Sequence, residues 1–228
     1  MAEKMSIPNI LKQYQEMVAY GKSIETRKFT VPEFTKLLRG FVGSFDIKVK
    51  TSRNAEVDKN QIIIGGSYDP EEDAANCSAI TIYVTYNPAQ KKICIKDIDW
   101  KQLCLELIEC SGHEVVHQTQ YRLRGFDIGP NIFVSLSPEE RKRTDQEYLG
   151  SPDEVEAYGF SIAVEIYLKY STKSLTLKNI AKTPMFKAYV NAFGEEHKIV
   201  KELIEFVIDY YQIISENNHA KTLQEYIR

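Results

Sequence analysis

The sequence predicts an α+β fold: a small, mostly antiparallel sheet with one buried helix, followed by a mainly helical C-terminal lobe. Three observations lead there. Apolar residues recur at helical spacing up to about residue 42, at every second position from about 45 to 98, and at helical spacing again afterwards. The composition, 43% hydrophobic and 27% charged over 228 residues, suits a chain that can bury a sizeable core. No repeat, low-complexity tract or Pro/Gly-rich linker breaks it, so one domain over 1–228 is expected, made of N-terminal helices (1–44), sheet and buried helix (45–125), and a helical lobe (126–228).

Taken in order, Ile10, Leu11, Tyr14, Met17 and Val18, then Phe34, Leu37, Leu38 and Phe41, predict two short packing helices over 8–20 and 32–42. Ile47 and Val49 begin the sheet. Ile62–Ile64, closed by Gly65 and Gly66, continue it, followed by Ile80, Ile82, Val84 and Tyr86, then Ile93 and Ile95. Asn87-Pro88-Ala89-Gln90 reads as a turn, which makes 79–96 an expected antiparallel hairpin. Asp99 with Gln102 three residues on marks a helix start, with Trp100, Leu103, Cys104, Leu107 and Ile108 as its apolar stripe. That helix is expected to run to about Arg124 and stop at Gly125. Further helices are expected at 138–147, from Pro152 to Lys169, and near Glu195–Ser215.

Charge and cysteine content narrow the function. The 29 basic and 32 acidic residues are interspersed, net −3, so no phosphate-binding footprint stands out and nucleic acid is not an expected partner. Arg122, Arg124, Arg141, Lys142 and Arg143 read as solvated helix surface, because Glu139, Glu140, Asp145 and Glu147 interleave with the second cluster. The start, with Glu3 and Lys4, lacks a signal peptide's apolar core. The most apolar later stretch, Phe160 to Leu168, is interrupted by Glu165 and falls short of the roughly 20 residues that span a bilayer. Cys77, Cys94, Cys104 and Cys110 have no CxxC spacing and read as free thiols in a reducing compartment, most simply the cytoplasm.

The chemistry concentrates in the buried helix, where His113-Glu114-Val115-Val116-His117 forms an HExxH motif. Residues four apart on a helix share a face at about 6 Å, so both imidazoles reach one metal ion while Glu114, one position round, stands beside it as a general base. Gly112 inside the helix costs about 1 kcal/mol relative to alanine, which fits a close approach by other backbone. A catalytic zinc ion takes three protein ligands and keeps a position for water. No third histidine follows at motif spacing, and His197 and His219 are isolated. Ser151-Pro152-Asp153-Glu154-Val155-Glu156-Ala157-Tyr158 instead puts carboxylates at the start of a strong helix. Glu154 could equally serve the helix start, as the acid of an S-x-x-E capping box with Ser151, and Glu156 is then the alternative ligand. Asp153 reads as a first-turn acid favoured by the helix dipole.

HExxH followed by a helix bearing ExxA, here Glu154-Val155-Glu156-Ala157, resembles the gluzincin pattern of zinc metallopeptidases, which the ImmA/IrrE-like group shares. The stretches HEVVHQTQ and YLGSPDEVEAYG also look like those of small HExxH proteins encoded by bacteriophages. The resemblance covers roughly residues 100–168. It implies a zincin-like fold, one Zn2+ ion held by His113, His117 and Glu154, a small Ala157 letting two helices touch, and hydrolysis of a protein or peptide substrate with Glu114 as base. Tyr158 departs from the Asp or Asn usual after the alanine. An oxyanion needs a donor besides the metal, for which Tyr121, Tyr148, Tyr158 and His197 are candidates, or they orient other groups. In such proteins the substrate lies along an edge strand, for which the 79–96 hairpin is the candidate. Two other readings stay open: a zincin-like module that binds a partner without catalysis, in a viral particle or as a regulator, and a metal hydrolase acting on something other than peptides.

Overall fold

The structure, a computed structural model, describes residues 7–42, 45–127, 146–170 and 175–215. The chain divides into two compact units, the first running to Thr119 and the second from Gln120. Both are built of helices and, in the first, small sheets, which is the α+β class. Among the described residues no helix is long and apolar enough to cross a membrane.

The first unit begins with α1 (Ile7–Ser23), β1 (Lys28–Thr30) and α2 (Val31–Val42). A reciprocal cap starts α2: Thr30 N donates to Glu33 Oε2 at 2.8 Å, and Glu33 N donates to Thr30 Oγ1 at 3.5 Å. The helix buries Val31, Phe34, Thr35, Leu38 and Val42, a stripe at spacings of three and four. Trp100 closes the space between the two helices. Its ring meets Phe34 edge-on at 6.3 Å, and its Nε1 donates to Met17 O at 2.9 Å. A Cβ on Gly21 would stand 2.0 Å from that nitrogen, so only glycine fits there.

Three strands, β2 (Ile47–Arg53), β3 (Ile62–Tyr68) and β4 (Ile80–Tyr86), form a sheet in the order β2-β4-β3, while β5 (Lys92–Cys94) pairs with β1. β3 runs antiparallel to β4, and β2 parallel to it with Ile47 opposite Ile80. The expected 79–96 hairpin does not form. The Asn87 turn is present, with Gln90 N donating to Asn87 O at 2.9 Å, but Asn87 Nδ2 donates to Val57 O at 2.6 Å and ties the turn to the β2–β3 connection. The chain then leaves the sheet, and Ile93 pairs with Phe29. With a neighbour on each side, β4 is the central strand, buried at Ile80, Thr81, Ile82, Val84 and Tyr86. Ile95, expected in a strand, starts a single 3-10 turn.

Between β3 and β4 lies α3 (Pro70–Ala74), which the apolar periodicity missed. Its signal is local: Asp69 Oδ1 accepts from Glu71 N and Glu72 N, and Pro70 occupies the first helical position. Then α4 (Trp100–Leu123) begins where Asp99 predicts, with Gln102 N donating to Asp99 Oδ1 at 3.0 Å. Residues 111–117 are all buried, so the helix runs through the interior rather than over it. It stops at Gly125, whose φ of 64° ends the helical path.

The second unit takes the last turn of α4 together with α5 (Pro152–Tyr170), α6 (Leu177–Ile180), α7 (Pro184–Phe193) and α8 (Lys198–Ser215). The helix expected at 138–147 lies outside the described residues except for its end, residues 146–149 being helical. Arg141, Lys142 and Arg143 fall outside them too. Ser151 caps α5, its Oγ accepting from Glu154 N at 3.4 Å. Helices α5 and α8 cross closely, because Gly159 leaves no Cβ: one would stand 2.5 Å from Phe206 Cβ. Thr183 Oγ1 accepts from Phe186 N at 3.4 Å, and with Pro184 at the first position it starts α7.

Candidate metal centre

In the first unit α4 carries His113, Glu114 and His117, all buried. The two ring Nε2 atoms stand 3.0 Å apart, with ring planes crossed at 84°. This is the helical i, i+4 relation brought to its closest useful form: both nitrogens address one point that a shared proton or a shared cation can hold. Next to His117, Gln118 Nε2 donates to Asp73 Oδ1 at 3.1 Å, and the other oxygen of that buried carboxylate accepts from Tyr68 OH at 3.0 Å. The end of β3 and α3 are thereby fastened to the histidine-bearing turn.

Glu114 is set against Gly66 of β3. A Cβ at that position would stand 2.7 Å from Glu114 Oε1 and 2.7 Å from Cys110 Sγ, so the glycine lets the carboxylate lie against strand backbone. Of the two glycines that end the Ile62–Ile64 run in sequence, Gly66 has this approach as its chemical reason, while a Cβ on Gly65 would meet nothing within 4 Å. Burial first, then the charge of Glu114, holds the Cys110 thiol well above its ordinary pKa, so it remains a neutral S–H.

In the second unit, the carboxylates at the start of α5 have distinct surroundings. Both Glu156 oxygens accept hydrogen bonds, one from Tyr210 OH at 3.0 Å and the other from Gln120 Nε2 at 2.9 Å. Gln120 Nε2 also donates to Asp153 O at 3.1 Å, and Arg124 forms an ion pair with Asp153 at 2.7 Å. Glu156 thus joins α5 and α8 to the last turn of α4. Asp153 is half of a surface pair, and Arg124 is paired rather than simply solvated.

Glu154 is buried in a tyrosine cluster. The Tyr148 hydroxyl hydrogen-bonds to Glu154 and to Tyr158, and burial, followed by the charge of Glu154, pushes its pKa far above the ordinary value. Tyr158 meets Tyr189 edge-on at 5.9 Å. Tyr189 is 0% exposed, and its pKa too is raised, by burial first and then by Tyr158 and Glu154. Tyr189 carried no signal in sequence, since a lone aromatic at helical spacing reads as core.

The remaining candidates are placed elsewhere. His197 is exposed, stacks on Phe193 at 5.2 Å and accepts from Ile199 N at 3.3 Å, which caps α8. Tyr121 supports the Arg124 guanidinium 4.6 Å from its ring centre. His219 lies outside the described residues. No family model, no curated protein and no solved structure matches the chain.

Proposed function

We propose that this chain is a zincin-type zinc metallopeptidase, with His113, His117 and Glu154 as metal ligands and Glu114 as general base. The observation carrying the proposal is the pair of buried Nε2 atoms 3.0 Å apart on α4, and Glu154 joins them as the acid that the ExxA pattern of α5 implies. Two imidazoles and one carboxylate are a donor set of catalytic zinc, which leaves a fourth position for water. Glu156 suits the ligand role less, because both of its oxygens already serve Gln120 and Tyr210.

A zinc ion in such a set lowers the pKa of bound water to about 7 and polarises a carbonyl. The chain's own contribution is proton handling and orientation. Glu114, buried beside the histidines and backed by Gly66, takes the proton from the attacking water and returns it to the departing amine. An extended peptide needs a strand edge open to pairing. β4 is central, so the role expected of 79–96 passes to β3, whose residues Ile62–Tyr68 carry no charge and whose outer edge is unpaired among the described residues. The opposite edge, β2, bears Lys48, Lys50 and Arg53, and Arg39 Nη2 donates to Val49 O at 3.0 Å. Charge blunts one edge and leaves open the one beside Glu114. Four free thiols suit a reducing cytoplasm, that of a host cell if the chain is viral.

The test is hydrolysis of denatured casein and of a proteome-derived peptide mixture by zinc-loaded protein, beside Glu114→Gln. Chelator-sensitive cleavage by wild type alone supports the reading. Bound zinc with no cleavage of either substrate favours the binding module instead.

A further inference from the structure

Tyr148 was a candidate oxyanion donor, yet its surroundings describe a different task. Its hydroxyl is committed to Glu154, six positions ahead, and to Tyr158. The backbone that carries it is fastened on several sides. Ser151 N donates to Tyr148 O at 3.1 Å, closing the turn that leads into α5. Gln146 Nε2 donates to Ala192 O at the end of α7. Gly150 packs so tightly that a Cβ would stand 2.8 Å from Gln146 O and 2.9 Å from Ile199 Cδ1. Tyr148 as a residue is 38% exposed while its hydroxyl group serves the buried carboxylate, as expected of a tyrosine that presents a fixed polar tip from a half-wet body.

We infer that Tyr148 is a positioning residue: its hydroxyl donates to the Glu154 carboxylate and fixes the orientation in which Glu154 offers its other oxygen to a metal ion. This rests on the metal-centre reading above and deepens it. A ligand carboxylate held by an outer hydrogen bond loses less rotational freedom on binding the ion, and removing such a partner costs about 10- to 100-fold in metal affinity. An oxyanion donor behaves differently, since it acts only as charge develops on the substrate and leaves metal affinity untouched.

The experiment titrates zinc against a chromophoric chelator into metal-free wild type, Tyr148→Phe and Tyr210→Phe. Tyr210→Phe is the control, because it removes a bond to Glu156 and none to Glu154. The expected result is about 10- to 100-fold weaker zinc binding by Tyr148→Phe, wild-type affinity in Tyr210→Phe, and an unchanged thermal midpoint of metal-free Tyr148→Phe. Equal zinc affinity in Tyr148→Phe and wild type overturns the inference and leaves the metal centre standing. The same loss in both variants also overturns it, by showing general loosening of the helices. Absence of zinc binding by wild type overturns the metal centre and this inference together.

Discussion

Gly66 and Glu114 are so close that a methyl group on the glycine would stand 2.7 Å from the carboxylate oxygen and 2.8 Å from Cγ. The strand therefore sets where the Glu114 carboxylate can lie. Gly66→Ala is expected to displace the Glu114 carboxylate, at a stability cost of about 1–3 kcal/mol and a loss in peptide hydrolysis of about a hundredfold. Gly65→Ala is the matched control, because a Cβ there meets nothing within 4 Å. Thermal unfolding and kcat/KM on one peptide separate the two variants, and equal behaviour of both contradicts the proposed packing of the base.

Replacing the proposed base without changing its shape isolates its chemistry. Glu114→Gln should bind zinc as wild type does and lose about 10²- to 10⁴-fold in kcat. Metal content and single-turnover cleavage measured on one preparation check it. Cleavage at the wild-type rate rules out Glu114 as the base.

The neighbouring glutamates should respond in opposite ways. Glu156→Ala leaves the buried Gln120 amide and Tyr210 hydroxyl without their shared acceptor, so stability should fall by about 2 kcal/mol or more with zinc still bound. Glu154→Ala should lose zinc and keep most of its metal-free stability. Denaturant unfolding of metal-free protein with a parallel metal assay decides between them, and an exchange of the two phenotypes makes Glu156 the ligand.

The capping pair at α2 predicts an acid-side dependence. Hydrogen bonds from the Thr30 backbone, then its hydroxyl, hold the Glu33 carboxyl below its ordinary 4.5. A folded-state pKa below the unfolded one means stability that is present above pH 4.5 and is lost as pH falls through the lower, folded value. The difference in thermal midpoint between wild type and Glu33→Gln should be present at neutral pH and vanish on acidification. A difference that grows toward acid contradicts the cap.

Thiol reactivity should be confined to one position. Cys77 is exposed, Cys94 and Cys104 are buried, and burial with the charge of Asp99 pushes the Cys104 thiol up to about 12. At pH 8 one thiol should react quickly with an aromatic disulfide reagent and the others only after unfolding. Rapid reaction of two or more thiols in the native protein contradicts the packing around α4.

Much of this was legible in the sequence, and what was not shares a cause. The helix around HExxH, its Asp99 start and its Gly125 end are local matters of period and capping, and they stand where the residues put them. The strands were legible as segments, while their partners were not. Whether Ile80–Tyr86 pairs with the next strand or with two earlier ones depends on contacts such as Asn87 with Val57, which no local pattern encodes. The choice between Glu154 and Glu156 stayed open for the same reason. What distinguishes the surroundings of Glu156 is Gln120 and Tyr210, 36 and 54 residues away in the chain. His197 and Tyr189 show the two ways a lone side chain misleads: the first caps a helix at the surface, and the second lies buried beside the glutamate with no motif around it.

An anomalous-scattering measurement across the zinc absorption edge, on crystals of wild type grown with zinc, tests the proposed centre most directly. The prediction is one peak per chain bonded to His113 Nε2 and His117 Nε2 at about 2.0–2.1 Å with a Glu154 oxygen at about 2.0–2.2 Å. Density showing the two rings joined by a hydrogen bond alone, with no peak between them, contradicts it.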